Sequence, residues 1–231
     1  MRLQGFRQAG TSSLDIALGP ISAAFPGSSF PLGAVHEFLC EKKEDAAATS
    51  GFIAALLSSI MGNTGAAIWI SSSGMIFPPA LKHFGVEPDR IIFIDLRNEK
   101  EVFRATEEAL KCHALSAVIV EMQGIDFTAS RRLQLAVEQS QVTGFIIRSL
   151  HRKLNATACA SRWRIISSAS GPDVRESHNE FPGVGFAKWK VELLKVRNGK
   201  PGSWTIQWVG GKFETGYERQ VLPPLEKKKT G

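Results

Sequence analysis

The chain has 231 residues and a net charge of +6, with 28 lysines and arginines against 22 acidic residues, and 43% of its residues are hydrophobic. A chain of this length and composition can bury one sizeable core, which predicts a single globular domain. No apolar run approaches the roughly 18 residues of a membrane helix, and the first residues lack an apolar signal-peptide core. Contact with a membrane is therefore not expected, and a cytoplasmic location is predicted.

The spacing of cysteines and histidines argues against disulfides and metal sites. Cys40, Cys112 and Cys159 are isolated and odd in number, so neither a disulfide framework nor a structural zinc site is expected, and we predict small buried side chains. The five histidines show no metal-ligand spacing. Cys112 and His113 are adjacent at a predicted helix end, where they point in different directions and do not predict a nucleophile–base pair.

Charge is distributed unevenly along the chain. Acidic residues are concentrated before residue 145, and basic residues dominate after it. This asymmetry favours contact of the C-terminal part with nucleic acid or an acidic partner, although a soluble protein with a high isoelectric point would show the same balance.

The first elements are an arm, a strand and a long helix. Residues 1–30 are rich in glycine, serine and proline, and they predict an arm laid over the core. Residues 34–39 predict the first strand. Asp45 is expected to cap the helix that follows over residues 46–60, which is apolar on most faces and therefore packed on more than one side.

Four further apolar segments, at 65–70, 91–95, 115–120 and 143–147, predict strands, with a short helical stretch at 79–84. Helices are predicted over 99–112 and from Asp126 or Thr128 onward. The later helix is expected to turn Leu133, Ala136, Val137 and Ser140 inward and Arg131, Gln134, Glu138 and Gln141 outward. Apolar strands alternating with helices predict a parallel sheet covered on both faces.

After residue 148 the pattern changes to alternation of apolar and polar residues. The segments 163–166, 188–195 and 204–208 alternate in this way, and turn residues lie between the last two, which predicts a closing antiparallel hairpin. Residues 216–231 show no burial pattern and predict a basic flexible tail. The predicted organisation is thus an arm (1–30), a core domain (31–215) and a tail (216–231).

Several segments together resemble a known ATPase core. The stretches SSLDIALG and FPLGAVHEF, followed by GAAIWI, KHFGVEPDRIIFI, LSAVIVE and TGFII, resemble the core of RecA recombinases in order and spacing. KWKVELLKVRNGKPGSWTIQW resembles the closing hairpin of that core. The resemblance covers residues 12–215 and implies an α/β fold, namely a RecA-like three-layer sandwich with a mostly parallel central sheet and a C-terminal antiparallel hairpin.

Within the RecA-like group, the chain is similar to the ImuA-type error-prone repair proteins. The similarity lies in FPLGAVHEF, EEALKCHALSAVIVE, FTASRRLQLAVEQS, ATACASRWRI and WKVELLKVRNGKPGSW. It implies a role in DNA-damage-induced mutagenesis, in partnership with an ImuB-type Y-family polymerase homologue, with an error-prone polymerase subunit and RecA itself as further candidate partners.

When the chain is placed in the register of the RecA core, most of the side chains that ATP hydrolysis requires are missing. Ala46 and Ala47 stand where a phosphate loop has its lysine and its magnesium-binding hydroxyl, and Ser73 stands where the catalytic carboxylate would lie. Only Glu121 occupies the place of a magnesium-supporting acid. The resemblance therefore implies a degenerate P-loop, with no cofactor and no ATP hydrolysis.

Charged residues around the same loop include some that oppose phosphate binding and some that favour it. Glu44, Asp45 and the nearby Glu41 would repel a triphosphate, whereas Lys42 and Lys43 could rescue phosphate binding.

Basic residues near two strand ends are candidates for contact with DNA or a protein partner. Four of them, Arg148, His151, Arg152 and Lys153, lie just after the strand at 143–147. The other two, Arg131 and Arg132, lie near the start of the helix that follows the strand at 115–120. Such residues bind phosphate without reading sequence, but both loops are short and lack aromatic residues for base stacking. Binding of a protein partner is favoured over weak direct DNA binding, and a merely solvated face is an equal alternative.

Three functions therefore compete. The leading hypothesis is a non-catalytic RecA-like adaptor in error-prone translesion repair. The alternatives are a SulA-like inhibitor of a cell-division GTPase and a divergent DNA-dependent ATPase.

Overall fold

The computed structural model describes residues 18–72, 74, 76–149, 154–170 and 185–216. Within these ranges the chain forms nine strands and three α-helices, joined in places by short 3₁₀ turns. In chain order they are β1 (Val35–Cys40), α1 (Lys43–Met61), β2 (Ala67–Ser71), β3 (Ile91–Asp95), α2 (Glu99–Leu110), β4 (Ala117–Met122), α3 (Phe127–Ser140), β5 (Thr143–Ser149), β6 (Ser161–Ser168), β7 (Lys188–Val196), β8 (Gly202–Val209) and β9 (Lys212–Thr215). The 3₁₀ turns span Gly19–Ala24, Pro26–Ser28, Pro78–Phe84 and Pro88–Arg90.

All nine strands belong to one sheet in the order β3-β2-β4-β5-β1-β6-β7-β8-β9. The first six strands in this order run parallel, and β7, β8 and β9 continue the sheet in antiparallel fashion. The predicted fold class, a mostly parallel RecA-like sandwich with antiparallel strands at its C-terminal end, is confirmed. Sequence patterning missed β9, whose four residues bury only Phe213.

Two hydrophobic cores lie on opposite faces of the sheet. One contains α1 together with Trp69, Phe145, Trp163 and Trp189 from the strands. The other contains the inner faces of α2 and α3 with alternate residues of β1, β2, β4 and β5. Alternate side chains of a strand point to opposite faces, so the sheet separates two helical layers.

The described part of the predicted arm, from residue 18 to residue 30, contributes to the first core. Leu18 and Ile21 are fully buried, and Phe25 and Phe30 pack with Trp163. The rest of the arm (1–17) and nearly all of the predicted tail (217–231) lie outside the described residues.

The start of α3 agrees with the sequence prediction, whereas α1 starts earlier than predicted. Helix α3 begins at Phe127 because the Asp126 carboxylate accepts the amide hydrogen of Ala129 at 2.7 Å, as one of the two predicted starts required. Helix α1, in contrast, begins at Lys43, so Asp45 is its third residue and not its cap.

Two predicted side-chain positions are wrong. Gln134 was expected on the outer face of α3 but is buried, because its amide oxygen accepts the backbone N–H of Val35 at 3.2 Å. Cys112 was expected to be buried but is exposed just beyond the end of α2, whereas Cys40 and Cys159 are buried as predicted. Among the described helices, none is long and apolar enough to cross a membrane.

Candidate functional site

A cleft of about 710 Å³ opens at the carboxyl ends of β1, β4 and β5. Its walls come from the start of α1, the segment 76–84 and the beginning of β7. The lining is largely apolar and includes Ala46, Phe77, Phe84, Met122 and Trp189. Ligands of open α/β sheets bind at this edge, so the cleft occupies the position of a nucleotide site in a RecA-like core.

The connection between β1 and α1 is too short to form a phosphate loop. Only Glu41 and Lys42 separate the end of β1 at Cys40 from the start of α1 at Lys43. The motif G-x-x-x-x-G-K-[S/T] places about six residues ahead of its lysine, so that backbone N–H groups can wrap around the phosphates. Of the six residues ahead of Ala46, three already belong to the first turn of α1 and one to β1.

The first turn of α1 is capped from within the chain. The Asp45 carboxylate accepts the backbone N–H of Lys42 at 3.1 Å, and Asp45 is buried. A carboxylate in the first turn of a helix interacts favourably with the positive end of the helix dipole. The position that would attract a phosphate anion therefore already holds a protein anion.

The two positions that would carry the lysine and the hydroxyl of a phosphate loop hold alanines. Ala46 and Ala47 are the fourth and fifth residues of α1 and line the cleft with methyl groups. Lys42 and Lys43 are exposed at its mouth. Glu44 is exposed as well, so the predicted mixture of charges at the loop is present.

Glu41 does not crowd the helix start in the way the sequence suggested. Its carboxylate forms an ion pair with Arg164 of β6 at 2.6 Å, and Arg164 also pairs with Glu192 of β7 at 2.5 Å. The two carboxylates raise the pKa of Arg164. Glu41 thus ties the short connection to the antiparallel end of the sheet.

Glu121 lies at the carboxyl end of β4 and lines the cleft, as the sequence predicted. Its carboxylate accepts hydrogen bonds from Ser71 Oγ at 2.8 Å and from the indole N–H of Trp69 at 3.3 Å. Ser73, predicted at the position of the catalytic carboxylate, lies outside the described residues.

The titratable groups near the centre of the sheet are held in unreactive states. Burial raises the pKa of the Cys40 and Cys159 thiols to about 11. Burial also lowers the pKa of His36 to about 4. Thiolate chemistry is therefore not available from these two cysteines. In the described part of the chain, no group of three potential ligands could hold a metal ion.

His36 is fixed by a chain of hydrogen bonds. Its Nε2 lies 2.8 Å from the carbonyl oxygen of Pro31, which can only accept, so Nε2 carries the hydrogen. Its Nδ1 then accepts from Ser161 Oγ at 2.6 Å, and Ser161 in turn accepts the indole N–H of Trp163 at 2.6 Å. The ring is a neutral structural group and not a base.

Arg148 is buried and is not the exposed residue that its predicted contact with DNA or a partner would use. Its side chain is only 4% exposed, and Nη1 lies 2.9 Å from Oε1 of the fully buried Glu37. The alignment does not complete a hydrogen bond to Oε1, and Arg148 Nε has no hydrogen-bond partner among the described residues. Arg162 also pairs with Glu37, at 2.6 Å. Burial of an arginine requires such a carboxylate, because an unpaired buried charge is very costly.

Sequence reasoning missed Glu37 as the centre of this cluster. The available signal was a single acidic residue within the otherwise apolar strand segment VHEFLC. A carboxylate at a buried strand position requires a cationic or hydrogen-bonding partner elsewhere in the fold. The remaining members of the predicted basic run, His151, Arg152 and Lys153, lie outside the described residues.

Arg131 and Arg132 are exposed on α3, as predicted, but acidic neighbours neutralise them. Arg132 pairs with Glu107 of α2 at 2.5 Å and lies over the ring of Phe103. Arg131 lies 3.7 Å from Glu138, about two turns further along the same helix. These contacts fit the solvated-face alternative better than a surface reserved for phosphate.

Comparison with known proteins decides the family. No protein-family model matches the chain. Two curated relatives, both called Protein ImuA and found in two strains of Caulobacter vibrioides, are 33% identical to it over 202 residues, covering 81% of this chain and 80% of the relative. The chain belongs to the ImuA family. The resemblance inferred from the sequence is thereby confirmed, and ImuA membership supports a role in ImuA-type damage-induced mutagenesis.

Proposed function

We propose that this ImuA-family chain is a non-catalytic adaptor in DNA-damage-induced translesion repair. In this role it binds an ImuB-type Y-family polymerase homologue, and with it the error-prone polymerase machinery. The RecA-like sheet then serves as a scaffold that presents binding surfaces, without ATP turnover.

The two-residue connection between β1 and α1 is the observation that carries the proposal. A loop of this length cannot surround a triphosphate, and the Asp45 carboxylate already caps the helix turn beside it. Phosphoryl transfer depends almost entirely on positioning and charge neutralisation. Replacing the cradle with a helical turn removes both at once.

Calorimetric titration with Mg²⁺-ATP tests the absence of nucleotide chemistry. We expect no saturable heat up to roughly 1 mM ATP, a concentration that would reveal even binding as weak as about −4 kcal/mol. Because the cleft remains open and Lys42 and Lys43 stand at its mouth, a divergent ATPase is the second candidate. Micromolar affinity that is lost in Ala47→Trp, which fills the cleft, would support that candidate and contradict the adaptor.

Affinity purification from cells treated with a DNA-damaging agent tests the partners. We expect the polymerase homologue to co-purify with the tagged chain. Recovery of a cell-division GTPase without any polymerase component would contradict the proposal and favour a SulA-like inhibitor. The ImuA relationship, at 33% identity over most of the chain, favours the repair role in advance of that experiment.

A further inference from the structure

Cations outnumber acids around the segment 154–160, which leads into β6. Glu37 is paired with both Arg148 and Arg162, and Arg162 also donates to the carbonyl oxygen of Asn155 at 2.8 Å. Thr157 donates its hydroxyl to the same carboxylate at 3.0 Å. The single acid of the cluster is therefore already engaged.

Two further cations adjoin this segment without an acidic partner. Lys195 Nζ donates to the carbonyl oxygen of Thr157 at 2.9 Å, and Arg197 Nη2 donates to that of Ala158 at 3.0 Å. Both residues are exposed, and neither forms an ion pair with any described residue. Four cations thus meet one carboxylate in this cluster, and because Arg148 and Glu37 are buried, the charge that reaches the surface comes from Arg162, Lys195 and Arg197.

The carbonyl contacts hold the two exposed cations in place. An anion that binds there does not have to order two freely moving side chains, so less conformational entropy is lost on binding. The charge-assisted hydrogen bonds that Lys195 and Arg197 can still form are directed to solvent.

Exposed leucines flank the same cations. Leu154 is 48% exposed and immediately precedes Asn155, which contacts Arg162. Leu194 is 41% exposed and precedes Lys195 at the bulge opposite Arg162. Because β7 runs antiparallel to β6, its end brings Leu194, Lys195 and Arg197 beside the start of β6, far along the strands from the cleft at their carboxyl ends.

We propose that Leu154, Leu194, Arg162, Lys195 and Arg197 form a docking surface for an acidic segment of a protein partner that also carries apolar side chains. This proposal rests on the adaptor function and specifies the surface and the chemistry of its partner. Carboxylates of the partner pair with Lys195 and Arg197, and its apolar side chains cover the two leucines.

The leucines favour a peptide over nucleic acid. A phosphate backbone would satisfy the cations but leave Leu154 and Leu194 in water, and none of the five residues is an aromatic on which a base could stack. An acidic segment with leucine-like side chains satisfies both parts of the surface. Arg131 and Arg132, whose charges are matched by acids, offer no equivalent surplus.

Fluorescence anisotropy with the full chain tests the surface directly. The probe is a short fluorescein-labelled peptide in which pairs of glutamates alternate with leucines, and a second probe replaces every glutamate with glutamine. The double variant Lys195→Glu/Arg197→Glu should bind the acidic probe at least about tenfold more weakly, because like charges then face each other. Lys100→Glu/Lys212→Glu makes the same change in net charge elsewhere and should bind within about twofold of the unmodified chain.

Two further measurements test the apolar contribution to binding and show whether the substituted cations are needed for folding. Leu194→Ser should weaken binding without changing its dependence on salt between about 50 and 300 mM NaCl, since that dependence reports the charges. Lys195→Gln/Arg197→Gln keeps neutral donors for the carbonyl contacts, and its urea unfolding should match that of the unmodified chain. A tenfold loss in the reversal variant, with intact folding in the glutamine variant, supports the surface.

Several results would overturn it. Equal binding of the acidic probe by the reversal and control variants excludes these cations. Tight binding of a labelled DNA oligonucleotide that the reversal variant loses, with no binding of the peptide, assigns the surface to nucleic acid instead. The same variants are then tested for binding to a purified ImuB-type polymerase homologue. If the reversal variant binds it as well as the unmodified chain does, the docking surface is overturned but the adaptor function is not. If the unmodified chain does not bind it, the adaptor function is overturned, and the peptide experiment still decides whether the surface exists.

Discussion

Removal of the Arg148 guanidinium should destabilise the protein far more than removal of a surface arginine. In Arg148→Met the fully buried Glu37 keeps only one of its two cationic partners. Loss of one partner from a buried ion pair typically costs about 3–5 kcal/mol, and we expect a value near the lower limit because Arg162 remains. Glu37→Gln leaves both arginines without a carboxylate, and its cost should approach the upper limit.

Arg131→Met is the matched control, because Arg131 is exposed and lies 3.7 Å from Glu138. An exposed pair of this kind contributes no more than about 1 kcal/mol. Urea unfolding followed by tryptophan fluorescence measures both variants. With a slope near 3 kcal/mol per molar urea, Arg148→Met should shift the midpoint by about 1 M, and Arg131→Met by less than a third of that.

The opposite result would contradict a stabilising role for Arg148 in the core. If Arg148→Met unfolded at the same urea concentration as the unmodified chain yet lost binding to DNA or to the polymerase homologue, Arg148 would be a surface contact after all. A triple variant with methionine at positions 37, 148 and 162 adds a second check. It should recover much of the stability lost in the single variants, because no unpaired charge is then left in the core.

Three other predictions concern single groups. In the unfolded state His36 takes up a proton near pH 6.5, whereas its pKa in the folded protein is about 4. Stability that is present above pH 6.5 is therefore lost as the pH falls, by about 3 kcal/mol between pH 7.5 and pH 4. Urea unfolding at these two pH values should show a smaller loss of stability in His36→Gln. Asp45→Ala should lower the free energy of unfolding by about 1 kcal/mol through loss of the helix-turn contact, while a gain of ATP binding in calorimetry would contradict the account of the cleft. Cys112 should react with a thiol reagent such as Ellman's in the folded protein, whereas Cys40 and Cys159 should react only after unfolding, and rapid modification of all three would show that the sheet opens readily.

Local pattern was sufficient to predict most of the sheet. Five of the six parallel strands are short apolar runs bounded by turn residues, and the inner face of α3 follows the helical period at Leu133, Ala136, Val137 and Ser140, all of which are buried. Strand order depends on crossovers and not on local pattern, and in this case the RecA resemblance supplied the expected fold. Strand β9 was missed because four residues with one buried side chain give too weak an alternation.

Polar residues in the core were the main source of error. Gln134 is assigned outward by polarity, but its amide pairs with the backbone of β1, a partner 99 positions away. Arg148 is assigned to a surface by charge, but Glu37 lies beside it across the sheet. A polar side chain is buried when the fold supplies its partner, and that partner is a property of the tertiary structure. The single glutamate in β1 was the only local indication.

The loss of ATPase side chains at the candidate site stays a prediction of the sequence, and the structure adds the geometry of the connection between β1 and α1. The sequence shows that Ala46 and Ala47 replace a lysine and a hydroxyl, which alone would suggest a phosphate loop with two missing side chains. The structure shows that α1 already begins at Lys43, so only two residues connect it to β1 and a phosphate loop does not fit there. Point substitutions at positions 46 and 47 would restore the side chains but not the backbone N–H groups that a phosphate needs.

The retained part of the site is the part that the core requires. Helix α1 buries eleven of its nineteen residues, nine of them in the core that also contains Trp163 and Trp189, so the helix and the strand beside it cannot be lost without loss of the fold. The short connection between them carries no such constraint, and Glu41 has become an ion-pair partner of Arg164 in the antiparallel extension. Chemistry at the carboxyl edge of the sheet is thus separable from stability. The surplus of positive charge lies elsewhere, at Lys195 and Arg197 beside the start of β6. If the proposed adaptor function holds, binding depends on surfaces like this one, where Lys195 and Arg197 form no ion pair with any described residue.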